Sequence, residues 1–238
     1  MGTITKKIKV ASNDYWEVSH AAGILTGQAC TLSAQHIQDG MLRIQFNREV
    51  AYYARGIVRD VEDGRKSAEE ALQALEGEQK SLLDQSMRVT SQSLGLVAGG
   101  LQVTGGIGIC VGSVGWACVP AGVMIGHGLN NIYENGNNLL TGRSNTEGWL
   151  RVRYQAVSEY FGGGKSGGNI AYGTADIGLS LFGAFRLTLK RNAWRLFRYV
   201  DADYVRAYKE TSSTILKIDA MSGEITASGI SNEWKNEK

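Results

Sequence analysis

The chain has 238 residues, of which 43% are apolar and 20% charged, so it is long enough to bury a core and its overall composition is that of a soluble protein. A net charge of +2 gives no basic field that would argue for nucleic acid as a partner. The 31 Gly against a single Pro are unusual, and the three cysteines, Cys30, Cys110 and Cys118, are too few and too irregular for a disulfide framework or a zinc module.

Charge is unevenly placed. Residues 1–88 hold 11 Lys/Arg and 12 Asp/Glu, residues 89–133 hold none of either, and residues 134–238 hold 14 and 11. The start, Met1-Gly-Thr-Ile-Thr-Lys-Lys, lacks the apolar run of a secretory signal, which points to synthesis in a reducing cytoplasm and export without such a signal. Residues 4–10 alternate weakly, as a short strand or a disordered start.

From Asp14, a candidate N-cap, to about His36 the apolar positions Trp16, Ala21, Ile24, Leu25 and Leu32 suggest a helix weakened by Gly23 and Gly27. Met41 to Val61 repeats apolar residues at three- and four-residue steps, with Arg43, Arg48, Arg55 and Arg59 toward water, and should stop at Asp63-Gly64. Ser67 and Glu70 then form a capping box that opens a helix through Leu72, Leu75, Leu82 and Met87. No strong breaker follows, so this helix should run straight into the charge-free segment.

Residues 89–133 are 45 uncharged positions, 11 of them Gly. About 20 apolar residues span a bilayer core as a helix, so the segment suffices for two crossings and a turn. The natural turn is Gly112-Ser113-Val114-Gly115, with Pro120 in the first turn of the second helix. A second helix from Pro120 to Tyr133 would rise only about 21 Å and is short for a span.

After an Asn-rich loop (Asn135, Asn137, Asn138), Trp149 to Phe161 reads as a helix ended by Gly162-Gly163-Gly164. Ile170 to Phe185 is apolar apart from Asp176 and is a candidate third membrane-active segment. Arg186, Lys190, Arg191, Arg195 and Arg198, interleaved with Leu187, Leu189, Trp194, Leu196 and Phe197, suggest a basic amphipathic helix. It suits either an anionic membrane surface or a core with a solvated basic face. Thr214 to Asp219 and Glu224 to Ser228, around Met-Ser-Gly, read as a β-hairpin.

Catalytic and cofactor motifs fail on inspection. Gly164-Lys165-Ser166 is not a phosphate loop, because Glu159 stands where the upstream Gly is needed. A dinucleotide fingerprint from Gly106 fails at Val111. His20, His36 and His127 lie far apart with no acid or cysteine at catalytic spacing, and Asp201-x-Asp203 reads as a solvated pair rather than a metal site. No catalytic, metal or cofactor residues are therefore assigned.

In lipid, helices associate through close packing of small residues. Gly95-xxx-Gly99, Gly108-xxx-Gly112 and Gly122-xxx-Gly126, with Gly106 near the centre of the first span, supply that chemistry. Gln102, Thr104, His127, Asn130, Asn131 and Asp176 are the candidate pore-facing polar groups. A buried hairpin in an all-α soluble protein would use the same glycines. Cys110 and Cys118 flank the turn and would either join as a disulfide in an oxidising compartment or stay buried thiols.

Cys110-x7-Cys118, then Gly126-His-Gly-Leu-Asn-Asn-Ile-Tyr-Glu-Asn-Gly136, Gly168-Asn-Ile-Ala-Tyr-Gly-Thr-Ala-Asp-Ile-Gly-Leu-Ser180 and Trp194-Arg-Leu-Phe-Arg-Tyr-Val resemble a bacterial domain family of long-unassigned function, over about residues 45 to 230. That family in turn resembles pore-forming antibacterial effectors of type VI secretion, which a small membrane immunity protein neutralises. The resemblance carries no catalytic residues.

The expectation is a mainly α fold in which a helical domain encloses a glycine-rich hydrophobic hairpin, with a small C-terminal β-hairpin. Three regions are expected: 1–88, amphipathic and helical; 89–133, the hairpin; and 134–238, helical with the terminal β-hairpin. The expected function is a toxin that inserts the hairpin into a target cell's inner membrane and depolarises it. Expected partners are that membrane's lipid, a cognate immunity protein, a secretion-system carrier and further copies of the chain. The rival is an enzyme toxin, a lipid or nucleotide hydrolase using the hairpin only as an anchor.

Overall fold

The computed structural model describes residues 12–113, 116–190, 193 and 201–236. The strand or disordered start at 4–10, the turn residues Val114 and Gly115, and Arg191, Trp194, Arg195, Leu196, Phe197 and Arg198 of the expected basic helix lie outside the described residues. The chain divides into two units at Arg88/Val89.

The first unit holds α1 (Ser12–His36), α2 (Gly40–Glu62) and the beginning of α3 (Ala68–Gly112). Asp14 lies inside the first turn of α1 rather than capping it. Asp39 caps α2, its carboxylate accepting from the Leu42 N–H at 2.8 Å. Gly64 ends the turn that follows in the left-handed region, at φ 70°, and the Ser67/Glu70 capping box opens α3 with reciprocal bonds of 2.9 and 3.2 Å. One apolar cluster joins Val18, Leu25, Ala54, Val61, Leu75 and Leu82 from the three helices. Each fully buried large side chain there contributes roughly 1.5 to 3 kcal/mol of transfer free energy.

The second unit takes the rest of α3 together with α4 (Cys118–Thr141), α5 (Trp149–Tyr160), α6 (Gly164–Phe185), α7 (Ala207–Glu210) and α8 (Ser213–Asn236). As the lack of a breaker after Met87 leads one to expect, α3 passes without a break into the charge-free segment. The Asn-rich loop is absent, because Asn135, Asn137 and Asn138 are helical and α4 runs eight residues past Tyr133. Its end is set by Gly142, at φ 66°, whose N–H reaches the Asn138 carbonyl.

A small antiparallel pair is present near the C-terminus, but the tail does not form it. β1 (Leu187–Leu189) pairs with β2 (Tyr204–Arg206), with Thr188 opposite Val205. The first residues of the expected basic helix are thus extended, starting at Arg186 (ψ 154°). Thr214 to Asp219 and Glu224 to Ser228 are helical in α8, which packs along α6, where Thr226 and Ile230 lie against Gly173.

Candidate functional site

The site is built on one face of α4. His127, Asn130, Asn131, Glu134 and Asn138 recur at i, i+3, i+4, i+7 and i+11, which places all five on one stripe of the helix, and all are buried. A buried polar side chain costs several kcal/mol unless it finds partners, and here nearly every one does.

Asn130 is fully buried, with 0% of its surface exposed, and uses both ends of its amide. Nδ2 donates to Glu134 Oε1 and Tyr172 OH, each at 2.9 Å, while Oδ1 accepts from the Leu150 N–H at 2.9 Å. Asn131 donates to Asp176 Oδ1 at 3.0 Å and to Gln102 Oε1 at 3.2 Å, and accepts from Tyr172 OH at 2.8 Å. Gln102 also donates to Asp176 Oδ1 at 2.9 Å. Helices α3, α4 and α6 are thereby tied together by side-chain bonds.

Glu134 is 4% exposed and is neutralised by a forked Arg151 pair, Nε to Oε1 at 2.8 Å and Nη2 to Oε2 at 2.7 Å. The Gly148 N–H adds a third bond at 2.7 Å. Burial opposes the charge on Arg151, but the hydrogen-bonded Glu134 carboxylate outweighs it and holds the guanidinium above its usual value. Arg151 also lies over the Tyr172 ring at 4.5 Å. Beyond this pair, Gln155 donates to Glu147 at 3.0 Å and to Asn169 at 2.8 Å, and Lys165 pairs with Glu147 at 3.0 Å. Burial would raise the Glu147 carboxyl, yet these bonds and the charges of Lys165 and Arg151 hold it below its usual range.

His127 is fully buried, stacked on Tyr172 at 4.8 Å and edge-on to Tyr154 at 5.6 Å. Its Nε2 is 3.2 Å from Tyr154 OH. Its Nδ1 sits 3.4 Å from Asp176 Oδ1 without hydrogen-bond geometry, a charge contact only if the ring is protonated.

Glycine sets the separation of the two hairpin helices. Contacts of Gly95 with Asn135, Gly99 with Gly128, and Gly106 with Ala121 and Ile125 run antiparallel toward the disulfide that joins Cys110 to Cys118. A Cβ on Gly99 would meet the Gly128 carbonyl oxygen at 2.7 Å, and one on Gly128 would meet the Gly99 carbonyl oxygen at 2.6 Å. Both positions need glycine for close approach.

The sequence-predicted residues therefore divide. Gly95, Gly99 and Gly106 pack between the helices, while Gly108, Gly112 and Gly122 face open space. Gly126 faces Leu150 of α5 rather than α3, so Gly128 takes the role expected of it. Among the polar residues, Gln102, His127, Asn130, Asn131 and Asp176 converge, while Thr104 stays outside and bonds the Gly100 and Leu101 carbonyls of its own helix. Glu134, Arg151, Tyr154 and Tyr172 were missed. The signal that could have found Glu134 is its spacing from His127, Asn130 and Asn131, which marks a single helical stripe.

The outer faces of the hairpin are apolar and exposed. Val97, Ile107 and Val111 on α3, Trp116 at the tip (93% exposed), and Val119 (81%) and Val123 on α4 point away from the network. Among the described residues α3 is the one helix long and apolar enough to cross a membrane, and 28% of its most apolar stretch is buried. The core helix of a soluble protein is mostly buried. Among the described residues no cluster of three or more His, Cys, Asp or Glu is arranged to hold a metal.

No curated protein matches the chain, and no solved structure does. A family profile matches residues 67–212, from the capping box of α3 to just before α8, and so covers the hairpin and the whole buried network. The chain belongs to the family described as a protein of unknown function, DUF4225.

Proposed function

We propose that the chain is an antibacterial toxin that inserts the α3–α4 hairpin into the inner membrane of a target bacterium and depolarises it by forming an ion-conducting pore. The observation that carries this reading is the exposed apolar face of the charge-free residues 89–133, whose Gln102, His127, Asn130 and Asn131 are turned inward. Residues 89–112 of α3 rise about 36 Å and α4 as a whole about 36 Å, each matching in length a hydrocarbon core of roughly 30 Å. Glu134 falls at the end of the charge-free stretch, where its Arg151 partner keeps it neutralised. Within the bilayer, Gln102, His127, Asn130 and Asn131 would face neighbouring helices or a water-filled lumen.

The same reading makes lipid the direct target and further copies of the chain the partners in the membrane. A cognate immunity protein protects the producer, and a type VI secretion carrier delivers the toxin. No covalent chemistry is required.

An enzyme toxin anchored by the hairpin is the second reading. What favours it is the proximity of Tyr154, His127 and Asp176, at 3.2 and 3.4 Å, although His127 Nδ1 makes no hydrogen bond to Asp176. Against it, His127 is fully buried.

Expression directed to the periplasm, with a potential-sensitive dye as readout, separates the two. The pore reading expects loss of potential before or together with growth arrest. Arrest with potential intact would reject the pore and favour the enzyme.

A further inference from the structure

A cavity of about 300 Å³ lies between α3, α4, α6, α7 and α8 and adjoins the buried network at Gln102. That volume is at the lower end of small-molecule sites. Leu101, Ile109, Met124, Ile215 and Leu216 give it apolar walls, and two oppositely charged side chains, Arg186 and Asp219, also line it. These two do not pair with each other. Arg186 Nε is buried and has no hydrogen-bond partner among the described residues. Asp219 is bonded by Ser180 and has Asp176 as its charged neighbour, which adds negative potential at that end.

We infer that this cavity binds the head and first methylenes of a single-chain ethanolamine phospholipid, phosphate on Arg186 and ammonium on Asp219. A lone anion would leave the carboxylates facing it, and a lone cation would leave the guanidinium unpaired. A zwitterion satisfies both, and the apolar walls take the start of the chain. Burial without a counter-charge holds the Arg186 guanidinium below its usual value. Burial, against the Ser180 bond and with the Asp176 charge, holds the Asp219 carboxyl above its own. Both shifts are those of groups lacking a partner that such a head would supply. A primary ammonium donates hydrogen bonds to Asp219, whereas a quaternary choline cannot.

The site does not depend on pore formation and is measured on the full chain in solution. Isothermal titration with decanoyl lysophospholipids below their micelle concentration would compare ethanolamine, choline and glycerol heads. Ethanolamine should bind tightest, with the other two weaker by about tenfold, the loss expected for one charge-assisted bond. Asp219→Asn should reduce ethanolamine to the level of choline, and Arg186→Gln should weaken all three heads alike. Equal affinities of the wild type for the three heads would overturn the assignment, as would an ethanolamine preference surviving in a folded Asp219→Asn protein. If either variant fails to fold, the wild-type series decides alone. Glycerophosphoethanolamine binding as tightly as its decanoyl form would overturn the lipid source.

Discussion

Arg151 and Glu134 pair in a pocket that also holds Asn130 and Tyr172, so each removes the cost of burying the other. Replacing Arg151 by Met should leave the Glu134 carboxylate without a counter-charge and destabilise the protein by about 3 to 5 kcal/mol in urea unfolding. Adding Glu134→Gln to that variant should recover a substantial part of the loss, and no recovery would mean that the pair does not act as a unit. The glycines allow a sharper contrast. Gly128→Leu drives a side chain into the Gly99 carbonyl and should destabilise by at least about 1 to 3 kcal/mol, whereas Gly108→Ala enters open space and should stabilise by roughly 0.5 to 1 kcal/mol through helix propensity. Two carboxyls should respond to pH with opposite signs. Glu147 is held low, so its contribution is present above the unfolded carboxylate range and is lost as pH falls through its lowered folded value. Asp219 is held high, so its contribution is present below that range and is lost as pH rises through its folded value. Asp219→Asn should therefore raise the melting temperature at neutral pH and have little effect in acid, while Glu147→Gln should lower it at neutral pH and lose its effect in acid.

At the scale of elements, the hairpin joins its two helices by a disulfide at one end and by close glycine contacts along its length. A closed loop of this size constrains the unfolded chain by roughly 2 to 3 kcal/mol, so Cys110→Ser with Cys118→Ser should lower stability by that order. Mass spectrometry after alkylation of unreduced protein should modify Cys30 alone, and modification at 110 and 118 would contradict the bridge. What was legible in the sequence followed from local chemistry. The Asp63-Gly64 stop, the Ser67/Glu70 box and the missing charges of 89–133 each act through neighbours in the chain. The tail was misread because Thr214, Ile215, Ile218, Ile225 and Thr226 favour strands, and only packing of α8 on α6 overrides that preference. The end of α4 was misread because Asn135 to Asn138 look like a turn in sequence. Asn138 in fact accepts from the Thr146 N–H and Asn135 donates to the Asn131 carbonyl, so both are satisfied inside a helix. The network was legible only in part, since the stripe from His127 to Glu134 can be read from spacing but its partners Arg151, Tyr154 and Tyr172 are 17 to 45 residues away in sequence.

For the whole molecule, one asymmetry of the hairpin dominates. The hairpin turns Gln102, His127, Asn130 and Asn131 inward, where Gln102, Asn131 and Asp176 hold it by hydrogen bonds, and leaves an apolar face from Val97 to Val123 exposed. Releasing those bonds and burying that face in lipid would exchange a satisfied polar network for hydrocarbon contact, with glycine still setting the distance between α3 and α4. Variants should therefore separate by what they disturb. Val119→Asp places a charge on the exposed face and should reduce membrane partition while leaving folding nearly unchanged. An enzyme with a passive anchor would show a different pattern, because any variant still reaching the membrane would keep its full effect. The most direct measurement is current across a planar bilayer exposed to the purified protein. Discrete conductance steps are expected for the wild type, with a marked loss of them for Val119→Asp. A silent bilayer, from a protein that still arrests growth when its expression is directed to the periplasm, would contradict pore formation.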